Sequence, residues 1–178
     1  MSKLTKNQLA EIKDVMSKVS EHSKDIEELI FKIADKATAD LDLIMQRYEG
    51  WLQDNPTDAE LEEVALQCTT LLYYAGEQME RVGLNEDIAK GIKMDAYNAH
   101  YHKEATGTIA DKKASAELAT QTENLTHQIY SRAYKMIKYK VEKCEEILNA
   151  VKKIISKRAD MAASGNYVYI NKKRPRGK

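Results

Sequence analysis

The chain has 178 residues, with 28 Lys or Arg against 28 Asp or Glu, so its formal net charge is zero. Glu, Lys, Ala, Leu and Ile dominate and only two prolines occur, Pro56 and Pro175, a composition that predicts an all-α protein. No apolar run in the sequence approaches the ~20 residues needed to cross a bilayer, so a membrane-spanning helix is excluded.

The neutral total conceals an uneven distribution of charge along the chain. Residues 128–178 carry 14 Lys or Arg against 4 Asp or Glu, whereas residues 1–127 carry 14 against 24. A basic end on an otherwise acidic chain favours a polyanionic partner.

The two cysteines indicate a reducing environment. Cys68 and Cys144 lie among apolar helical positions, and no hydrophobic stretch follows the charged N-terminus, Met1 to Lys6, as it would in a signal peptide. We therefore expect two buried thiols in a soluble, cytoplasmic protein.

The first segment, residues 1–105, is predicted to be an acidic helical region that begins with a helix over residues 5–54. Thr5 and Gln8 have the spacing of a capping box, and apolar side chains then recur at steps of three and four from Leu9 to Ala37. The pattern slips by one residue at Ala37 and resumes from Leu41 to Trp51. This spacing predicts a coiled-coil-like helix with one stutter.

Two further helices are predicted in the same region, over residues 57–82 and 86–105. Thr57 and Glu60 form a second capping box, and Gly83 followed by Leu84 is typical of a helix C-terminus with a left-handed glycine. Asn85 then caps the third helix, whose apolar face is the weakest of the three.

The second segment, residues 106–165, is predicted to be a long basic helix. Thr108 and Asp111 have N-cap spacing, and the helix then runs from Ile109 to about Ala163, roughly 80 Å at 1.5 Å per residue. A helix of this length lies partly against another copy or in solvent, so we expect a homo-oligomer. Residues 166–178 are predicted to be an extended, flexible basic tail.

The long helix has two different faces when it is projected at 100° per residue. Apolar side chains from Ile129 to Ile155 form one stripe, which predicts a core or a subunit interface. The opposite face gathers cations around one aromatic ring: Arg132, Lys135, Tyr139, Lys143, Lys153 and Lys157. The helix dipole favours cations only in the last turn, so it does not explain Arg132 or Lys135.

The tail repeats this combination of aromatic rings and cations. Its nominated contact residues are Tyr167, Tyr169, Lys172, Lys173, Arg174 and Arg176. Cations for phosphates and rings for bases are the mixture that a single-stranded nucleic acid uses. Two other interpretations stay open, namely pairing with an acidic protein and simple solvation of the helix.

No pattern for catalysis is present. The sequence has no glycine-rich phosphate loop and no arrangement of a nucleophile with a base. Of the histidine cluster, only His100 and Glu104 share a helical face, which is too few ligands for a metal. We expect no enzyme activity, no cofactor and no metal.

Three stretches of the basic helix resemble the C-terminal portion of the UvsY-type phage recombination mediators. They are residues 110–113 (Ala-Asp-Lys-Lys), Ile129-Tyr130 and residues 154–161, and the resemblance covers about residues 106–165. It implies a small helical protein, a ring-like homo-oligomer that binds single-stranded DNA without catalysis. Such a protein helps a RecA-like recombinase replace the single-strand-binding protein during DNA recombination and DNA repair, here in the cytoplasm of the phage host.

The DNA-contacting basic pair of that family lies upstream of the matching stretch, so it is not assigned to positions here. The nominated contact residues rest on the helical projection and on the composition of the tail. A second hypothesis is a non-enzymatic coiled-coil adaptor, scaffold or inhibitor whose basic end binds an acidic protein partner. The heptad pattern of residues 9–37 supports both hypotheses equally.

Overall fold

The computed structural model describes residues 6–51, 55–103 and 107–163, and within α1 it describes few side chains before Ser23. Four helices occupy these ranges: α1 (Lys6–Trp51), α2 (Asp58–Lys103), α3 (Ile109–Ala119) and α4 (Gln121–Ala163). The predicted all-α fold is confirmed. The predicted cap at Thr5 and the tail after Ala163 lie outside the described residues. In the described ranges, no helix combines the length and apolarity that crossing a membrane requires.

The chain forms two compact units, and the three long helices each contribute a segment to both. Unit 1 contains Met1–Ala34 and Asn85–Ala133, and unit 2 contains Asp35–Leu84 and Tyr134–Lys178. Among the described residues of unit 1, Ile30 is the one large apolar side chain that is buried, beside Ala34, Ala89, Ala116 and Ala133, while Ile88 and Ile92 stay more than half exposed. The weak apolar face predicted for residues 86–105 is therefore buried mainly at Ala89.

The apolar core of unit 2 is built from α1, α2 and α4. Within it α2 and α4 pack antiparallel, since Asp58 contacts Arg158 and Gly83 lies beside Tyr134. Its fully buried large side chains are Leu41, Leu61, Val64, Ile137 and Val151. The apolar stripe predicted on the long helix is the core-facing side of α4.

The seam predicted on α1 is displaced by one residue around its stutter. Ala34 and Thr38 are fully buried, whereas the predicted positions Ile33 and Ala37 are only half-buried. The buried face follows consecutive four-residue steps from Ile30, which is the spacing of a stutter. It passes through Thr38 because that hydroxyl accepts a hydrogen bond inside the unit, 3.1 Å from Lys140 Nζ.

Two of the predicted helix starts are confirmed by reciprocal hydrogen bonds. The Glu60 amide donates to Thr57 Oγ1 at 3.3 Å and the Thr57 amide donates to Glu60 Oε2 at 2.8 Å. The Thr108 amide donates to Asp111 Oδ2 at 2.9 Å, and the Asp111 amide donates back to Thr108 Oγ1 at 3.2 Å. The donated bonds from Thr108 lower the pKa of Asp111.

The predicted single helix from Ile109 to Ala163 is instead two helices, α3 and α4, divided at Thr120. Thr120 has φ −109° and ψ 22°, and it is buried. Its hydroxyl donates to the Ala116 carbonyl at 2.8 Å. A threonine hydroxyl that bonds the carbonyl four residues back bends a helix, but Thr69 and Thr126 make the same bond inside unbroken helices. The bond therefore does not by itself explain the break.

The predictions that Gly83 ends one helix over residues 57–82 and that Asn85 caps another over residues 86–105 are wrong, because α2 is continuous from Asp58 to Lys103. The one glycine in the described ranges with positive φ is Gly107, at φ 116°. A Cβ atom at Gly83 would lie 3.2 Å from Tyr134 Cε2, closer than ordinary contact. Gly83 therefore serves the approach of α2 to the Tyr134 ring, which offsets the low helix propensity of glycine.

Alanine substitutions at two glycines of α2 test this role. Gly76→Ala should stabilise the protein by about 0.5 to 1 kcal/mol, because a Cβ there meets nothing within 4 Å and alanine favours the helix. Gly83→Ala should give a clearly smaller gain or a loss, measured by urea denaturation. In a Tyr134→Ala background the two glycine variants should behave alike. An equal gain at both positions in the wild-type background would remove the packing role of Gly83.

Candidate nucleic-acid interface

The nominated cations and the tyrosine of α4 lie on its solvent side. Lys135, Lys153 and Lys157 are exposed, and Tyr139 is 58% exposed. Lys143 is partly exposed. Arg132 is also exposed but belongs to unit 1, so the interface is described here as the outer face of α4 from Lys135 to Lys157, within unit 2.

Tyr139 lies at the centre of a small interaction network on this face. Lys143 Nζ is 5.7 Å from the centroid of the Tyr139 ring and 2.7 Å from Glu146 Oε2. The hydrogen bond to Glu146 raises the pKa of Lys143. A phosphate that binds Lys143 must compete with the Glu146 carboxylate.

The middle of the outer face is consequently of mixed charge, which the sequence analysis missed. Besides Glu146, Glu142 lies on this side, 4.0 Å from Lys138 Nζ. Lys135, Lys153 and Lys157 have no ion pair among the described residues. The unpaired cations thus flank a centre that contains the exposed ring and two carboxylates.

A different set of α4 cations points inward. Lys140 Nζ lies 2.6 Å from Asp42 Oδ2 and 3.9 Å from Asp35 Oδ1, and its side chain is only 15% exposed. This ammonium group ties α4 to α1 inside unit 2. It is not available to an external anion.

Arg158 of α4 is hydrogen-bonded to the connection between α1 and α2 and to the first residue of α2. Its guanidinium donates to the Pro56 carbonyl at 2.8 Å, to Asp58 Oδ1 at 2.7 Å and to Asn55 Oδ1 at 3.0 Å. The residue is 8% exposed. Three acceptors in one fork make this the most fully bonded cation of α4, and its role is structural.

The sequence contains a signal for both inward cations. Lys140 and Arg158 are eighteen residues apart, which is five helical turns, so they share one direction at the edge of the buried stripe. A cation at the edge of an apolar stripe indicates a buried partner. The identity of that partner does not follow from the pattern, since Asp42 and Asp58 are 98 and 100 residues away.

The remaining nominated residues belong to the tail. Tyr167, Tyr169, Lys172, Lys173, Arg174 and Arg176 lie outside the described residues. The interface is therefore characterised on α4 alone.

The thiols are adjacent in the core of unit 2. Cys68 and Cys144 are free and fully buried, as expected. The hydrogen bond between them and their burial raise the pKa of the Cys144 thiol far above its ordinary value. Both thiols are fully buried, and buried structural thiols are chemically inert. In the described ranges no group of three His, Cys, Asp or Glu side chains is placed to hold a metal ion.

A comparison with known proteins found no relative of this chain. No family model, no curated protein and no solved structure matches this chain.

Arg158 and its neighbour Lys157 provide a matched test of the inward and outward cations. Arg158→Met should lower the free energy of unfolding by about 1 to 3 kcal/mol, because it removes charge-assisted hydrogen bonds to the partly exposed Asp58 and to the Pro56 carbonyl. Lys157→Met should change it by less than about 0.5 kcal/mol, because that side chain is exposed. Urea denaturation measures the free energy of unfolding of both variants. Similar losses in the two variants would contradict the structural assignment of Arg158.

Proposed function

We propose that this protein binds single-stranded DNA through the outer face of α4 and acts as a recombination mediator without enzyme activity of its own. The observation that carries the proposal is Tyr139, a tyrosine 58% exposed on a helix whose neighbouring outward side chains include Lys135 and Lys143. Because the Tyr139 ring is exposed to solvent among cations, it does not stabilise the core of unit 2.

The chemistry of this face suits a single strand better than a duplex. Unpaired bases offer their faces to a tyrosine ring, and such stacking contributes ~1–3 kcal/mol per base. Lysines contact the phosphates, each neutralised phosphate releasing a counterion. A duplex hides its base faces, so Tyr139 would have no partner there.

A single copy of this face supplies few unpaired cations, which makes assembly important to the proposal. Several copies in a homo-oligomer would present repeated sets of Lys135, Tyr139 and the lysines toward the C-terminus of α4. Binding at one set raises the effective concentration of the strand at the next. The basic tail adds cations to each copy.

The mediator role rests on the resemblance to the UvsY-type proteins over residues 106–165. In that role the partners are a RecA-like recombinase and the single-strand-binding protein that it replaces. The fold is consistent with a protein that acts by binding.

The pairing of Lys143 with Glu146 provides a sharp test of the interface. Glu146→Gln should strengthen binding to poly-dT by about two- to fivefold at low salt, because it frees Lys143 and removes a repelling carboxylate. It should also steepen the plot of log affinity against log salt by about 0.7. Glu145→Gln changes the net charge equally but lies on another side of α4, so its effect should stay below about twofold. Equal effects of the two variants would indicate a response to net charge alone.

Substitutions at Lys135 and Tyr139 separate phosphate contacts from base contacts. Lys135→Ala should flatten the salt plot by about 0.7. Tyr139→Leu should weaken binding by about 1 to 3 kcal/mol with little change in slope. Fluorescence anisotropy with labelled poly-dT measures both. Absence of binding by the wild-type protein at low salt would overturn the proposal and favour an acidic protein as the partner of this face.

A further inference from the structure

The outer side of α2 in unit 2 has the opposite charge to the outer face of α4. Between Asp58 and Leu84, α2 carries six Asp or Glu and one Arg. The side that faces away from the core forms a line of exposed residues, here called the α2 stripe: Glu62, Leu66, Tyr73, Glu77, Glu80 and Leu84.

Large apolar side chains are unusually exposed along this stripe. Leu66 is 70% exposed, Tyr73 is 68% exposed and Leu84 is 61% exposed. They recur on one line of the helix at 100° per residue, interleaved with carboxylates that have no ion pair among the described residues. An aligned apolar and acidic surface suits a chain segment that is itself apolar and basic.

The end of the chain has this composition. Residues 167–170 are Tyr-Val-Tyr-Ile, and residues 172–178 contain five cations and no acid. Within unit 2 the outer face of α4 repels such a segment through its unpaired lysines. The α2 stripe attracts it.

Because α4 ends near the start of α2, the tail that follows α4 can reach the α2 stripe of the same chain. Ala163 follows Arg158 by five residues, and Arg158 contacts Asp58, the first residue of α2. The fifteen residues after Ala163 can extend over about 50 Å. The α2 stripe begins at Glu62, one turn into α2, and is about 33 Å long.

We propose that residues 167–178 dock on the α2 stripe of the same chain, with the apolar residues of the tail against Leu66 and Tyr73 and its cations against the carboxylates. This contact is separate from the nucleic-acid interface. One consequence rests on the proposed function: a docked tail is withheld from DNA, so DNA and the α2 stripe compete for the same cations.

Zero-length carbodiimide cross-linking of the full-length protein without DNA tests the contact, since it joins a lysine to a carboxylate only when the two touch. Lys172 and Lys173 should be linked to Glu62, Glu77 or Glu80, with the linked peptides identified by mass spectrometry. Mixing isotopically light and heavy chains separates links within a chain from links between copies. The proposal predicts links within one chain.

Matched variants test whether the apolar part of the stripe matters. The double variant Leu66→Ser, Tyr73→Ser keeps every carboxylate, and it should lower the yield of these links severalfold. Leu43→Ser removes a side chain that is 63% exposed on α1 of the same unit, and it should leave the yield unchanged.

Three results would overturn the proposal. They are an absence of tail links, links distributed equally to exposed acids elsewhere in unit 2 such as Glu49 and Glu145, and links formed mainly between light and heavy chains. The last result would assign the stripe to a second copy. None of these results bears on DNA binding by α4, because no nucleic acid is present in the experiment.

Discussion

Two cations of α4, Lys140 and Arg158, are held inside unit 2 by oxygen atoms from α1, from the connection between α1 and α2, and from the first residue of α2. Lys140 contacts Asp42 and Thr38, and Arg158 contacts Asn55, Pro56 and Asp58. Because the two are five turns apart on one line, they fix the rotation of α4 about its own axis in this unit. An apolar stripe alone tolerates small rotations, whereas a rotation that separates these cations from their acceptors breaks charge-assisted hydrogen bonds.

This orientation decides which charges meet solvent. Tyr139 and Lys157 immediately precede Lys140 and Arg158, so each is rotated by about 100° toward the outside. The same contacts that hold the inward cations therefore keep the ring and its neighbouring lysines exposed. On α2 the side opposite the core carries the exposed acids and apolar side chains of the α2 stripe. In unit 2 the unpaired outward cations lie on α4, together with Glu142 and Glu146, whereas the outward charges of the α2 stripe are carboxylates. Under the two proposals, DNA and the α2 stripe compete for the basic tail.

Features that depend on neighbours in sequence were predictable. The capping boxes at Thr57 and Thr108 are local, so residue type and spacing were enough to predict them, and the periodicity of α4 predicted its buried stripe.

Features that depend on distant contacts were not predictable from the sequence. Gly83 has the sequence context of a helix end, but α2 continues through it and the glycine leaves room for the ring of Tyr134. The one-residue displacement at Thr38 reflects its bond to Lys140, 102 residues away. The exposure of the candidate interface was predictable from the face of α4 on which it lies. The pairing of Lys143 with Glu146, three residues apart, does not follow from the positions of the cations and rings alone.

The central claim is that α4 uses one set of cations for structure and presents another to a nucleic acid. Lysine acetylation rates along α4, measured by mass spectrometry with and without poly-dT, test both halves together. The account predicts that Lys140 reacts slowly in both conditions, whereas Lys135, Lys153 and Lys157 react fast alone and are protected by the strand. Acetylation of Lys140 as fast as that of Lys138, or unchanged rates at the outward lysines when poly-dT is bound, would contradict it.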